Sequence, residues 1–151
     1  MKEKFSKRVQ SIIKQSKEEA IQLGHSYVGS EHILLGLLKS DSGLGKKVFH
    51  IYNIDINQII NSINNKIKTS AGTLNLGHLP LTRRAERILR NSYNEASIRG
   101  DTVSDDEHLL LAMLREPDGV ASKVLKSFSL DYETVSDLIL SDESNQLMNE
   151  L

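Results

Sequence analysis

The side chains best able to do chemistry occur in matched pairs along this sequence. Glu31-His32 and Glu107-His108 put a carboxylate beside an imidazole at two places 76 residues apart. A helical zinc site of the protease kind needs a second histidine four residues after the first. Position 36 is Gly and position 112 is Ala, so that ligand is missing from both. The five histidines do not cluster at ligand spacing, and neither a metal site nor a catalytic residue is expected. His32 and His108 read as structural histidines under a helix start. Gly43-Leu44-Gly45-Lys46-Lys47 looks like part of a phosphate loop. The full pattern needs Gly at 40 and Ser or Thr at 47, where this chain has Ser40 and Lys47. No ATP site is expected, and no cofactor.

A second constellation suits anions. Ser6-Lys7-Arg8 and Thr82-Arg83-Arg84 each place a hydroxyl cap before adjacent cations at a helix start. Free backbone N–H groups, the positive end of the helix dipole and neighbouring cations together suit a phosphate. Residues 1–17 carry six Lys/Arg against one Glu, and residues 82–99 carry five Arg against two Glu. On these features alone, an ordinary capped helix with a solvated basic face is the preferred reading. Glu31 and Glu107 fall in the first turn of a helix, where the dipole favours an acid by about 0.3–1 kcal/mol. Their recurrence in both halves hints at a further role.

These residues are positioned by a duplicated unit. Residues 5–63 align without gaps on 81–139, with 16 of 59 positions identical, against about 3 or 4 by chance. The densest match sets Glu31-His32-Ile33-Leu34-Leu35-Gly36-Leu37-Leu38 against Glu107-His108-Leu109-Leu110-Leu111-Ala112-Met113-Leu114. The periodicity is helical: Phe5, Val9, Ile12, Ile13, Ala20 and Leu23 form one stripe, repeated by Leu81, Ala85, Ile88, Leu89 and Ala96. Ser6 and Thr82 are N-caps, and Gly24 and Gly100 are stops. Ser30 and Asp106 are expected to cap second helices. Third helices follow Gly43 and Gly119, and fourth helices begin near Asp55 and Asp131. The fold class is therefore all-α, with two pseudo-symmetric four-helix repeats, eight helices in all, packed as one domain. The boundaries are 1–68 for the first repeat, 69–80 for a connector, 81–141 for the second repeat and 142–151 for an acidic tail or the start of a linker. Neither unit is large enough to bury a good core alone.

Composition excludes several classes. The 151-residue chain has no Cys, hence no disulfide, thiol nucleophile or Cys-based metal site. No apolar run reaches 18 residues and no signal-peptide pattern opens the chain, so a cytoplasmic location without a membrane partner is expected. A net charge of −1 argues against nucleic acid as a partner, although Arg83, Arg84, Arg87 and Arg90 make a local basic row.

The paired motif Ser-Glu-His-Ile-Leu-Leu-Gly-Leu-Leu at 30–38, with Gly24-His25 before it and Asp-Gly-Val-Ala-Ser-Lys-Val-Leu at 118–125, resembles the N-terminal Clp repeat domain of ClpC-type AAA+ unfoldases. The resemblance runs over roughly residues 3–141. It implies a non-catalytic domain, cut from a longer chain, that recruits substrates and adaptor proteins. ATP would bind the absent AAA+ modules, which would work with the Clp protease. It further implies phosphoarginine recognition by a helix-start hydroxyl and the Glu of the Glu-His motif, which maps onto Ser6, Lys7, Arg8 and Glu31 in one pocket and Thr82, Arg83, Arg84 and Glu107 in the other. Two departures stand out. Ser6 replaces the usual Thr, and Asp105-Asp106 replaces the usual Gly-Thr, which puts two acids where a phosphate would sit. The alternative is a protein-adaptor docking module without phosphoarginine binding, using the groove between repeats and apolar side chains near Phe5 and Leu81.

Overall fold

The computed structural model describes residues 4–41, 43–67 and 79–150, with side chains as far as Asp142. Two 16-residue helices, α1 (Lys7–Gln22) and α5 (Arg83–Ile98), open the repeats. The Ser6 side chain accepts from the Val9 N–H at 3.1 Å and Thr82 from the Ala85 N–H at 3.0 Å, each cap being worth about 1 kcal/mol. Both helices end where Gly24 and Gly100 take positive φ, 73° and 82°. The next amides then fold back, His25 onto the Ala20 carbonyl and Asp101 onto that of Ala96, each at 2.9 Å. A side chain at either glycine would oppose that left-handed turn.

The second helices, α2 (Ser30–Leu38) and α6 (Asp106–Arg115), form the centre. Their caps are Gly29 and Asp105, one residue earlier than the expected Ser30 and Asp106. The reason is the histidine three residues on. His32 Nδ1 accepts from the Gly29 N–H at 2.8 Å, and His108 Nδ1 from the Asp105 N–H at 2.9 Å. That interaction fixes the helix start one step back. All nine residues of α2 are buried, as a helix apolar on every side requires.

Two further helices complete each unit: α3 (Leu44–Ile51) and α4 (Ile56–Lys66) in the first, α7 (Val120–Ser127) and α8 (Tyr132–Glu150) in the second. The repeats interlock. α1 lies on α2 and α5 on α6, but α3 packs on α6 and α4 on α7, across the repeat boundary. One continuous core results, running from Ile12, Leu34 and Phe49 to Ile88, Leu110 and Val124.

The 69–80 connector lies outside the described residues except for Leu79 and Pro80. Residues 142–150, part of the segment expected as an acidic tail or the start of a linker, continue α8. Residues 132–150 contain neither Pro nor Gly, so nothing in that stretch interrupts α8. Among the described residues no helix is long and apolar enough to cross a membrane.

Candidate functional site

The backbone before each first helix pairs with the other repeat. The Val28 N–H donates to the Pro80 carbonyl and the Thr82 N–H to the Val28 carbonyl, both at 2.9 Å. The same ladder recurs with Ser6 N–H on Ser104 and Ser104 N–H on Lys4, at 2.8 and 2.7 Å. Thr82 therefore meets Gly29, Ser30 and Glu31, while Ser6 meets Asp105. This corrects the expected pairing of Ser6 with Glu31 and of Thr82 with Glu107. α2 follows α1 after a reversal, so Ser6 and Glu31 sit at opposite ends of the 16-residue α1, a length of about 24 Å. Phe5 and Leu81 are also not the exposed side chains expected. They occupy these bridges and pack against the core.

The Thr82–Glu31 site is an open cavity of about 510 Å³, lined by Tyr27, Gly29, Glu31, Thr82, Arg84 and Lys123 among others. Glu31 is only 9% exposed, and it forms no hydrogen bond or ion pair among the described residues. Its carboxylate lies over Gly29, where a Cβ would stand 2.3 Å from an Oε1. A side chain at position 29 would displace the Glu31 carboxylate. Burial and then the Glu31 charge raise the Tyr27 phenol above its ordinary range. Thr82 keeps its cap, and its own proton has no acceptor among the described residues. Arg84 packs along Gly119 and pairs with the exposed Asp118.

The Ser6 side is arranged differently. The Ser6 hydroxyl donates to Asp105 Oδ1 at 2.9 Å, and Arg8 Nη1 reaches the same oxygen at 3.3 Å. Asp106 is fully buried. Its Oδ2 accepts from the Gly45 N–H at 2.8 Å, and its Oδ1 lies 3.7 Å from Arg8 Nη1. Burial first, then Asp105, raises the Asp106 carboxyl, against the pull of Arg8 and the amides of Gly45 and Lys46. A cavity of about 390 Å³ remains beside Glu107, lined by Asp101, Asp105, Asp142 and Lys47, with neither Ser6 nor Arg8 in its wall.

Each site rests on its histidine. His32 donates from Nε2 to His25 Nδ1 at 2.7 Å, the tautomer required by its acceptance from Gly29. Burial and the neighbouring His25 lower His32 to about 4. His108 donates instead to Asp101 at 3.0 Å, and that carboxylate opposes the lowering that burial causes.

Of the expected site residues, Glu31, Thr82 and Arg84 converge on one cavity. Ser6 and Arg8 converge on Asp105, and Glu107 lines the other cavity. Lys7 and Arg83 are exposed and line neither. Lys123, Asp118 and Tyr27 were missed. The repeat offered a signal for Lys123, since Lys47/Lys123 is an identical pair. Arg87 is held by Glu116 through two hydrogen bonds, so the arginine row is not a free basic stripe.

This arrangement of two interlocked helical repeats, each with a Glu-His helix start, defines a class. Residues 4–139 match the Clp repeat (R) N-terminal domain, and the chain belongs to that family. It is 37% identical over 131 residues to the chloroplastic chaperone protein ClpC1 of Oryza sativa subsp. japonica, covering 87% of this chain and 14% of the relative. It is 34% identical over 128 residues to the ATP-binding subunit ClpC of the ATP-dependent Clp protease of Staphylococcus aureus strain USA300, covering 85% and 15%. The chain thus spans about one-seventh of the length of these relatives. The fold matches the N-terminal domain of the chaperone ClpD from Arabidopsis thaliana, with TM-score 0.71 at 20% identity over 94% of this chain and 96% of that one. It also matches the Hsp104 N-terminal domain from Candida albicans, with TM-score 0.72 at 18% identity over 88% and 87%.

Proposed function

We propose that this chain is a non-catalytic docking domain of a cytoplasmic Clp-type unfoldase, which receives protein substrates and adaptors and recognises phosphoarginine at the Thr82–Glu31 site. The observation that carries this reading is Glu31. A carboxylate in the wall of an open cavity with no protein partner is available to a cationic ligand. It shares its cavity with the Thr82 hydroxyl, Arg84 and Lys123. A guanidinium answers the carboxylate, and a phosphate answers the hydroxyl, the helix start and the two cations. A ligand carrying both charges on one side chain fits both halves, and neither arginine nor phosphoserine does.

Calorimetric titration with free phosphoarginine, with arginine and phosphoserine as controls, tests the reading. Selective binding is expected, and Glu31→Ala is expected to weaken it at least ~100-fold, the loss of a buried charge-assisted pair. An unchanged affinity in folded Glu31→Ala protein would remove Glu31 from the site. No binding by folded wild-type protein would leave adaptor docking alone.

A further inference from the structure

The second site, built from both repeats, holds the same parts as the Thr82–Glu31 site: a hydroxyl-capped helix start at Ser6, a cation at Arg8, a carboxylate at Glu107 and a lysine at Lys47. The difference in charge at the helix start lies at two positions, where Gly29 and Ser30 are replaced by Asp105 and Asp106. We infer that Asp105, seconded by Asp106, is a built-in anion that occupies the phosphate half of the second site, so that the domain has one open site for a phosphorylated guanidinium and not two. This rests on the reading of the Thr82–Glu31 site given above.

The contacts are those an external phosphate would make. Asp105 takes the Ser6 proton and the Arg8 guanidinium, and its Oδ1 also accepts the Asp106 N–H at 2.9 Å. Asp106 takes a backbone N–H at the start of α3, from Gly45. In the first site the matching hydroxyl proton has no described acceptor. The cavity walls agree. Thr82 and Arg84 line the first cavity, while their counterparts Ser6 and Arg8 are absent from the wall of the second. Asp105 stands between them and the space beside Glu107. What remains there has four acids and one lysine, against two acids, one arginine and one lysine in the first cavity. Repulsion alone would weaken an anion. An internal carboxylate already bound to the hydroxyl and the cation also removes its partners.

The test is the stoichiometry of phosphoarginine binding by the 151-residue chain. Wild type is expected to bind one equivalent. Asp105→Gly/Asp106→Ser, which copies the first site, is expected to bind two, the second within about tenfold of the first. Adding Glu31→Ala should leave one site, and further Ser6→Ala should weaken that one. Two equivalents in wild type would overturn the inference while leaving the first site in place. One equivalent in both proteins, with the variant folded by circular dichroism, would overturn it as well. No binding by wild type and one equivalent in the variant would sustain the built-in anion at the second site and overturn the Thr82–Glu31 reading, and with it the count of one open site. No binding in either would overturn both. Should the double variant fail to fold, Asp105→Asn keeps the cap and removes the charge. A second, weaker binding event is then expected, and its absence would count against the built-in anion.

Discussion

The two repeats share a backbone plan but spend their charge differently. At the first site Glu31 stands buried without a partner, over a glycine, beside an open cavity. At the second, Ser6 and Arg8 turn to Asp105 and the Gly45 amide turns to Asp106. Away from the sites the repeats agree. Glu19 meets Lys39 at 2.6 Å, and Glu95 meets the matching Arg115, with Tyr132 donating to it at 2.6 Å. Buried acids that serve the fold are paired in both halves. Glu31, at the open site, has no hydrogen bond or ion pair among the described residues, which separates a group held for structure from a group held ready.

The histidines offer the largest way to break this comparison through stability. His32, lowered to about 4, is neutral in the native state near neutral pH, whereas in the unfolded chain it titrates near its ordinary 6.5. Between those values the unfolded state binds the extra proton. Stability is therefore full above pH 6.5 and falls as pH drops toward 4, by up to about 3 kcal/mol. Protonation would also cost the Gly29 N–H its acceptor at Nδ1. In the second repeat Asp101 takes the place of His25 and favours the charged imidazole. His25→Asp transplants that arrangement. Urea melts at pH 7 and pH 5 should show the acid loss reduced by about 1 kcal/mol in the variant. An equal loss in both would mean that His32 does not govern it. Because the variant also loses the stacking of His25 on Tyr27, the comparison is between pH values within each protein.

A smaller effect is expected where the central helices cross their partners. At Gly36 a Cβ would stand 2.7 Å from both the Ile12 carbonyl oxygen and Ser16 Oγ. Ser16 is itself bonded to that carbonyl at 2.7 Å, so neither neighbour yields cheaply. The second repeat has Ala112 here, and the matching Ser92 turns instead to Leu89 and receives Ser104. Gly36→Ala gains about 1 kcal/mol of helix propensity and loses about 1–3 to overpacking. A net destabilisation near 1 kcal/mol in chemical unfolding is the expected outcome. A stabilised variant would show that α1 and α2 can part without cost.

Much of this was legible from the residues. The 76-residue period, the caps at Ser6 and Thr82 and the stops at Gly24 and Gly100 are local signals, and local hydrogen bonds carry them out. The pairing of the sites was not read correctly, although its cause lay in the sequence. A hairpin of two helices puts the start of α2 beside the end of α1, so a pocket formed by both helix starts needs the other repeat. The role of Asp105 was half legible. Its charge announced repulsion, but its bond to Ser6 depends on a ladder between residues about 100 positions apart, Phe5 and Ser104, which no local pattern encodes. Glu31 lacking a partner is likewise a property of the assembled core.

The smallest expected effect concerns the cations that sequence reasoning put into the sites and the fold leaves outside them. Arg83 and Lys7 are exposed, one position before the arginines that turn inward. Each lies at the positive end of a helix dipole, where a cation is disfavoured by about 0.3–1 kcal/mol. Arg83→Ala should therefore leave the melting temperature unchanged or slightly raised. Its effect on phosphoarginine affinity should stay within about twofold at physiological salt, since an exposed, solvated charge outside the cavity wall is screened. Arg84→Ala, on the same turn, should cost about tenfold, because its guanidinium lines the cavity and a phosphate would compete with Asp118 for it. Isothermal titration of the two variants side by side separates a cation that touches the ligand from one that only shares its helix. Equal losses would mean that the helix start acts as a diffuse positive field, and the cavity would then lose its claim to specificity.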